Sequence, residues 1–273
     1  MMNERKASRP TIFRRSLLLP AEHGSWSWLL VPLFLGAAVG GRLNGAVLLV
    51  LAGSLSAFLM RQPATGWFRI RRGKGRRSDL GLARGWTVAF AAIAILSLAG
   101  LLALGHAEIL VLFAPLSLLL LIYLWIALRQ RAQLRSLGME MAGAAGLAMS
   151  APAAYAAATG RLDSTAWFLW LLAGMLNALG VLYVRRRLAD NRGRSGSRVV
   201  QLVFHAAALA VVSGLIGWGL VPWPAVLPFA ALVIRAAWLA RRPRPVANVK
   251  RFGFTEVAVE SVSALAIALG YWL

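Results

Sequence analysis

The sequence predicts an all-α fold, a polytopic membrane bundle of about nine transmembrane helices with its N-terminus inside. Three observations carry this. Of the 273 residues, 59% are hydrophobic, and several apolar runs approach the roughly 20 residues that a spanning helix needs. Lys and Arg number 30 against 9 Asp and Glu, a net charge of +21, yet the basic residues lie almost only between the apolar runs. They also fall at alternate connections, so that every Lys and Arg except Arg42, Arg161 and Arg235 lies on one side. The positive-inside rule makes that side cytoplasmic, and an odd number of crossings leaves the C-terminus outside.

Residues 1–23 are a basic segment containing Arg5, Lys6, Arg9, Arg14 and Arg15. No small-x-small cleavage site follows, so the first apolar run is expected to be an uncleaved span. Residues 24–273 are expected to form a single transmembrane bundle. Span 1 covers about 24–41, with Glu22, His23, Trp26 and Trp28 at its mouth. Span 2, about 44–60, precedes an Arg- and Gly-rich loop at 61–84. Spans 3 and 4 occupy 85–104 and 108–128. Span 5, 137–158, starts near Glu140 and is rich in Ala and Gly, which predicts close helix packing. Span 6, 164–184, carries Asn177, read as an interhelical hydrogen bonder, and runs into Arg185-Arg186-Arg187. Spans 7 and 8, 199–219 and 221–240, meet at a turn bearing the interfacial indoles Trp218 and Trp223. Span 9, 252–273, opens with Glu256 and Glu260, four residues apart and so on one helix face. All the spans must be helices, because lipid cannot satisfy open backbone groups.

Composition also excludes. With no Cys, disulfides, thiol catalysis and thiolate metal sites are out, and three His make a multi-His metal site unexpected. No phosphate-binding glycine loop, dinucleotide fingerprint or nucleophile elbow is present, so no cofactor and no metal are implied. No soluble basic domain is long enough for nucleic acid, and the cationic loops are assigned to membrane lipids.

Polar residues beside a bilayer are costly and mark candidate sites. A carboxylate in the first turn of a helix gains about 0.3–1 kcal/mol from the helix dipole, which suffices for Glu140. Glu256 and Glu260, the second a turn deeper, are paired acids that call for a cation, for which Arg235 is a candidate. The expected catalytic groups are Glu22, His23, Glu256 and Glu260, placed to orient a head group or move protons. The expected ligand-binding groups are Arg61, Gln62, Arg69, Glu140, Arg185, Arg187, His205 and Arg235. All are expected to converge on one cavity at the cytoplasmic end.

Four motifs carry a resemblance. Pro20-x-Glu22-His23-Gly24-Ser25-Trp26, Arg61-Gln62-Pro63, Tyr183-Val184-Arg185 and Gly253-Phe254-Thr255-Glu256 together resemble the YwiC-like family of bacterial multipass membrane proteins. The resemblance implies the bacterial inner membrane. More distantly, nine helices with loops after spans 2 and 6 are similar to UbiA-type intramembrane prenyltransferases, whose Asp-rich loops hold a prenyl diphosphate through magnesium. Here loop 61–84 has only Asp79 and loop 185–198 only Asp190, too few carboxylates for a hard dication. The expected function is a polar cavity binding an anionic amphiphile: a prenyl phosphate, a quinone precursor or a lipid. Its bearer would be a binding protein, or a prenyltransferase-like enzyme lacking the magnesium motifs. The alternatives are a proton-coupled transporter and a non-catalytic membrane subunit.

Overall fold

A computed structural model describes residues 24–129, 136–191, 198–241 and 246–273. They form ten α-helices: α1 (Gly24–Val39), α2 (Gly45–Arg71), α3 (Leu80–Ala103), α4 (Leu110–Arg129), α5 (Leu137–Leu147), α6 (Ser150–Thr159), α7 (Ser164–Asp190), α8 (Arg198–Gly217), α9 (Val226–Arg241) and α10 (Val249–Gly270). No strand occurs among the described residues. Seven of the helices (α2, α3, α4, α7, α8, α9 and α10) are long and apolar enough to cross a membrane, and α1 is a shorter apolar helix of 16 residues.

Two differences from the hydropathy reading have physical causes. Span 5 is not one helix but two, α5 and α6. Pro152 has no N–H to give the Ala148 carbonyl, and the backbone tightens before it. Met149 N–H bonds back to Gly146 O, and Ala151 N–H to Ala148 O. The Ala145 carbonyl accepts instead from Trp170 Nε1 on α7, at 3.0 Å. The second difference is length. α2 continues eleven residues past the expected end of span 2, to Arg71, and α7 runs on to Asp190. The expected loop 61–84 therefore shrinks to 72–79. Hydropathy reports where a lipid-compatible composition stops, not where the backbone ladder stops. Cations in the last turn of α2, Arg69 and Arg71, favour that ladder through the helix dipole.

α1 sits at the centre, packed against α2, α5, α6, α7 and α10. Its closest neighbour is α6. A Cβ on Gly36 would stand 2.0 Å from the Ala151 carbonyl oxygen, and one on Gly40 would stand 2.5 Å from Ala158 Cβ. Gly36 and Gly40 are four apart on one face, the small-xxx-small spacing that lets two backbones touch. Pro32 lies inside α1 and leaves the Trp28 carbonyl without its helical donor. Asn177 Nδ2 on α7 donates to that carbonyl at 3.1 Å and to Ala144 O on α5 at 3.0 Å. Ser150 Oγ donates to the neighbouring Leu29 carbonyl at 2.7 Å. One amide side chain thus ties three helices together, as expected of Asn177.

At the end opposite the Arg-rich connections, Asn44 caps α2 by accepting from Val47 N–H and donates to Ala157 O. Asp163 caps α7, accepting from Thr165 and Ala166 N–H. The outer surface is apolar: Ile95, Leu96, Leu121, Val203, Ile234, Val262 and Leu265 are all exposed.

The α1–α6 contact sets the first prediction. Gly36→Ala places a methyl group on an unyielding backbone oxygen, so it should destabilise by roughly 1–3 kcal/mol. Gly24→Ala, which meets nothing nearer than a Trp28 ring carbon at 3.9 Å, should be close to neutral. Thermal unfolding in detergent compares the two; equal melting temperatures would contradict the close contact.

Candidate functional site

The polar side chains at the Arg-rich end gather into clusters on either side of α1. The larger is built by α7, α9 and α10. Arg235 on α9 points Nη2 at both oxygens of Glu256 on α10, each at 2.5 Å. Its guanidinium Cζ lies 3.5 Å from the ring centroid of Tyr183 on α7. Below this, the Tyr183 and Phe252 rings tilt together at 6.3 Å, and Arg187 lies over Phe252 at 5.4 Å. The four groups run cation, ring, ring, cation, and each guanidinium sits over an aromatic face. Such contacts contribute from about 0.5 kcal/mol when exposed to about 2 when desolvated. Arg235 sits where it does because α9 carries it a turn and a half from its end, level with the first two turns of α10.

Glu260, one turn farther along α10, stays clear of this ion pair. Ser27 of α1, whose hydroxyl donates to the Gly24 carbonyl at 2.9 Å, lies close to Glu260. Glu260 Oε1 is buried with no hydrogen-bond partner among the described residues. Glu260 and Asn177 line one narrow cleft with Val31, Pro32, Leu35 and Ala264, between α1, α7 and α10. His205 on α8 is fully buried. Its Nδ1–H donates to the Gln201 carbonyl at 2.8 Å, because a carbonyl can only accept.

The smaller group lies where α2 meets α1 and α4. Arg61 stacks on Phe58, 5.3 Å from the ring centroid, and on Tyr123 of α4 at 4.8 Å. Trp26 of α1 meets Phe58 edge-on at 5.2 Å. Consecutive residues of α1, Trp26 and Ser27, therefore serve different clusters. Gln62 and Arg69 are half-buried on α2. A further pair, Glu140 of α5 and Arg185 of α7, closes at 2.8 Å.

Of the residues nominated from sequence, Glu256 and Arg235 meet directly, and Arg187 joins them through the aromatic rings. Glu260 borders the same cluster. Arg61 and the Glu140–Arg185 pair stand elsewhere. Glu22 and His23 lie outside the described residues. The sequence reading missed Ser27, and it missed Asp190 as a latch. Asp190 takes Arg186 on its own helix and lies 3.9 Å from Arg198 of α8, while Asn191 exchanges two hydrogen bonds with the Val246 backbone.

Long apolar helices with an exposed apolar surface, and polar contacts drawn to the helix ends, define a membrane-embedded helical protein. A family model described as YwiC-like protein matches residues 19–155, half the chain, and the protein belongs to that family. The match covers α1 to α5 and the first half of α6, with Arg61, Gln62, Arg69 and Glu140. The Tyr183–Arg235–Glu256 cluster lies beyond it. No curated protein and no solved structure matches the chain.

Arg235 and Glu256 should behave as a coupled pair. Arg235→Ala and Glu256→Ala should each destabilise, and the double variant should fall short of the sum by about 0.5–3 kcal/mol. Additive losses in a double-mutant cycle would show that the pair is not energetically joined.

Proposed function

We propose that this YwiC-like protein crosses the bacterial inner membrane nine times, with α5 and α6 together making one crossing. Its N-terminus and Arg-rich connections face the cytoplasm. There it binds the anionic head of an amphiphile, a prenyl phosphate, a quinone precursor or a phospholipid. One observation carries the binding reading. Arg187 is half-buried and stacked on Phe252, and its Nε is buried with no hydrogen-bond partner among the described residues. A desolvated guanidinium of this kind is best satisfied by phosphate or carboxylate, which take two parallel N–H donors. Arg235 is held by Glu256 and acts as a fixed wall to the site, not as the anion's partner.

The position suits an amphiphile better than a soluble anion. Arg187 lies in the last turn of α7, where head groups gather. On α10, which Arg187 meets through Phe252, Phe254 and Val262 are exposed and would offer a hydrocarbon tail an apolar surface. The excess of cations over acids keeps the local potential positive and concentrates anionic lipid.

Two experiments test this reading. Native mass spectrometry against isoprenoid phosphates and phospholipids should show a retained anionic amphiphile, with affinity falling about tenfold or more in Arg187→Ala and less in Arg187→Lys. Binding indifferent to Arg187 would remove the site. For topology, the absence of native Cys allows single cysteines to be read without background. A cysteine at Gly105 or Trp272 should label from outside intact cells and one at Gly73 should not; the reverse pattern would overturn the orientation.

A further inference from the structure

The second half of the chain repeats the first. α2 follows Gly41-Arg42-Leu43-Asn44, and α7 follows Gly160-Arg161-Leu162-Asp163, 119 residues later. Both glycines are left-handed, with φ of 69° and 72°. Asn44 and Asp163 then cap their helices, each accepting from the N–H three residues on, Val47 and Ala166. Each helix runs for 27 residues, Gly45–Arg71 and Ser164–Asp190. The apolar segment before each is interrupted by a proline. Pro32 in α1 stands nine residues ahead of Gly41, and Pro152 in α6 eight residues ahead of Gly160. The next two helices correspond as well. α3 leads through left-handed Gly105 and a 3-10 turn at 107–109 into α4; α8 leads through left-handed Gly219 and a 3-10 turn at 223–225 into α9. Any one of these features is ordinary chemistry for starting or ending a helix. Their common order, with second helices of equal length, is not accounted for that way.

Side chains carry the repeat to the Arg-rich end. In the first half, Arg61 on the second helix lies over the ring of Tyr123 on the fourth, at 4.8 Å. In the second half, Arg235 on the fourth helix lies over the ring of Tyr183 on the second, at 3.5 Å. Tyr123 stands six residues before Arg129, the last residue of α4, and Arg235 stands six before Arg241, the last of α9. Arg61 and Tyr183 stand ten and seven residues before the ends of α2 and α7, a difference of one turn. Guanidinium and phenol have changed helices while the contact between second and fourth helix is kept. A cation–ring contact holds whichever helix supplies the ring. The two clusters on either side of α1 therefore share one plan. α10 has no counterpart in the first half. It makes the second cluster different by bringing Glu256 to Arg235 and Phe252 to Arg187.

We propose that the chain is a tandem duplication of one unit, residues 24–129 and 137–241, completed by α10. The Arg61–Tyr123 and Tyr183–Arg235 contacts are the two copies of one clamp, which holds the fourth helix of each unit to the second at the cytoplasmic end. On the nine-crossing reading above, each copy crosses four times, so both enter from the same side and are related by rotation about the membrane normal. The first crossings of the two copies meet in the α1–α6 contact. The clamp makes Arg61 a positioning residue, and it does not depend on the anion contact at Arg187.

Exchange tests the clamp. Thermal unfolding of the purified full chain in detergent should show Arg61→Tyr and Tyr123→Arg each lowering the melting temperature by about 2–4 °C. The two together write the second copy's arrangement into the first and should recover at least half of the summed loss. A double exchange no better than the sum of its single changes overturns the clamp. The duplication has a test that does not need that variant to fold. With no native Cys, single cysteines can be placed at matching turn positions, Arg42→Cys with Arg161→Cys and Leu104→Cys with Trp218→Cys. The two members of each pair should react with a membrane-impermeant maleimide from the same side of the membrane. Members of a pair reacting from opposite sides overturn the duplication. All four reacting from the inside supports it, while reversing the orientation proposed above.

Discussion

The bundle depends on a hydrogen bond that α1 cannot make for itself. Pro32 withholds one amide, the Trp28 carbonyl is left open, and Asn177 reaches across from α7 to fill it. In lipid no water is on hand to take that role, so the repair must come from protein. The same side chain binds Ala144 O beside the α5–α6 break, and Ser150 at the start of α6 binds Leu29 O. Two interruptions, at Pro32 and at Pro152, are thus tied together, by Asn177 across Trp28 O and Ala144 O and by Ser150 to Leu29 O. Close approach makes this feasible. Gly36 and Gly40 let α1 lie against the Ala-rich surface of α6, bringing backbone and side-chain partners within reach.

That geometry also organises charge. A helix at the centre with small or polar residues on its first turns can serve two neighbours at once. Trp26 looks to Phe58 and the Arg61 stack, and Ser27 looks to Glu260. Around them, guanidinium groups are held chiefly by rings and single carboxylates: Arg61 by Phe58 and Tyr123, Arg187 by Phe252, Arg235 by Tyr183 and Glu256. Aromatic faces stabilise a cation without cancelling its charge. A region built this way keeps its positive potential, whereas one built of matched ion pairs would neutralise it.

Much of this was legible in advance, for identifiable reasons. Arg235 was expected to answer the acids of α10 because helical spacing puts Glu256 and Glu260 on one face and because an isolated cation that far into a span needs a partner. Asn177 was expected to join helices because an amide in hydrocarbon has few other uses. The grouping of Arg61 and Arg185 with those acids was a different kind of expectation. It assumed that residues at one depth are neighbours, and depth fixes only one coordinate of three. Which helices lie side by side depends on where small residues allow backbones to touch, and that is a property of pairs of surfaces.

The sequence by itself determined that the chain is helical and membrane-embedded, where its apolar segments run, and which end of the bundle carries the cations. Each of those follows from local composition: the cost of an exposed peptide group in lipid and the placement of Lys and Arg between apolar runs. Only the tertiary structure decided that span 5 breaks in two, that α2 and α7 continue past their apolar stretches, and that Glu260 parts from Glu256 to share a cleft with Asn177. Those outcomes turn on which donor meets which acceptor across a helix interface, and no single segment holds both.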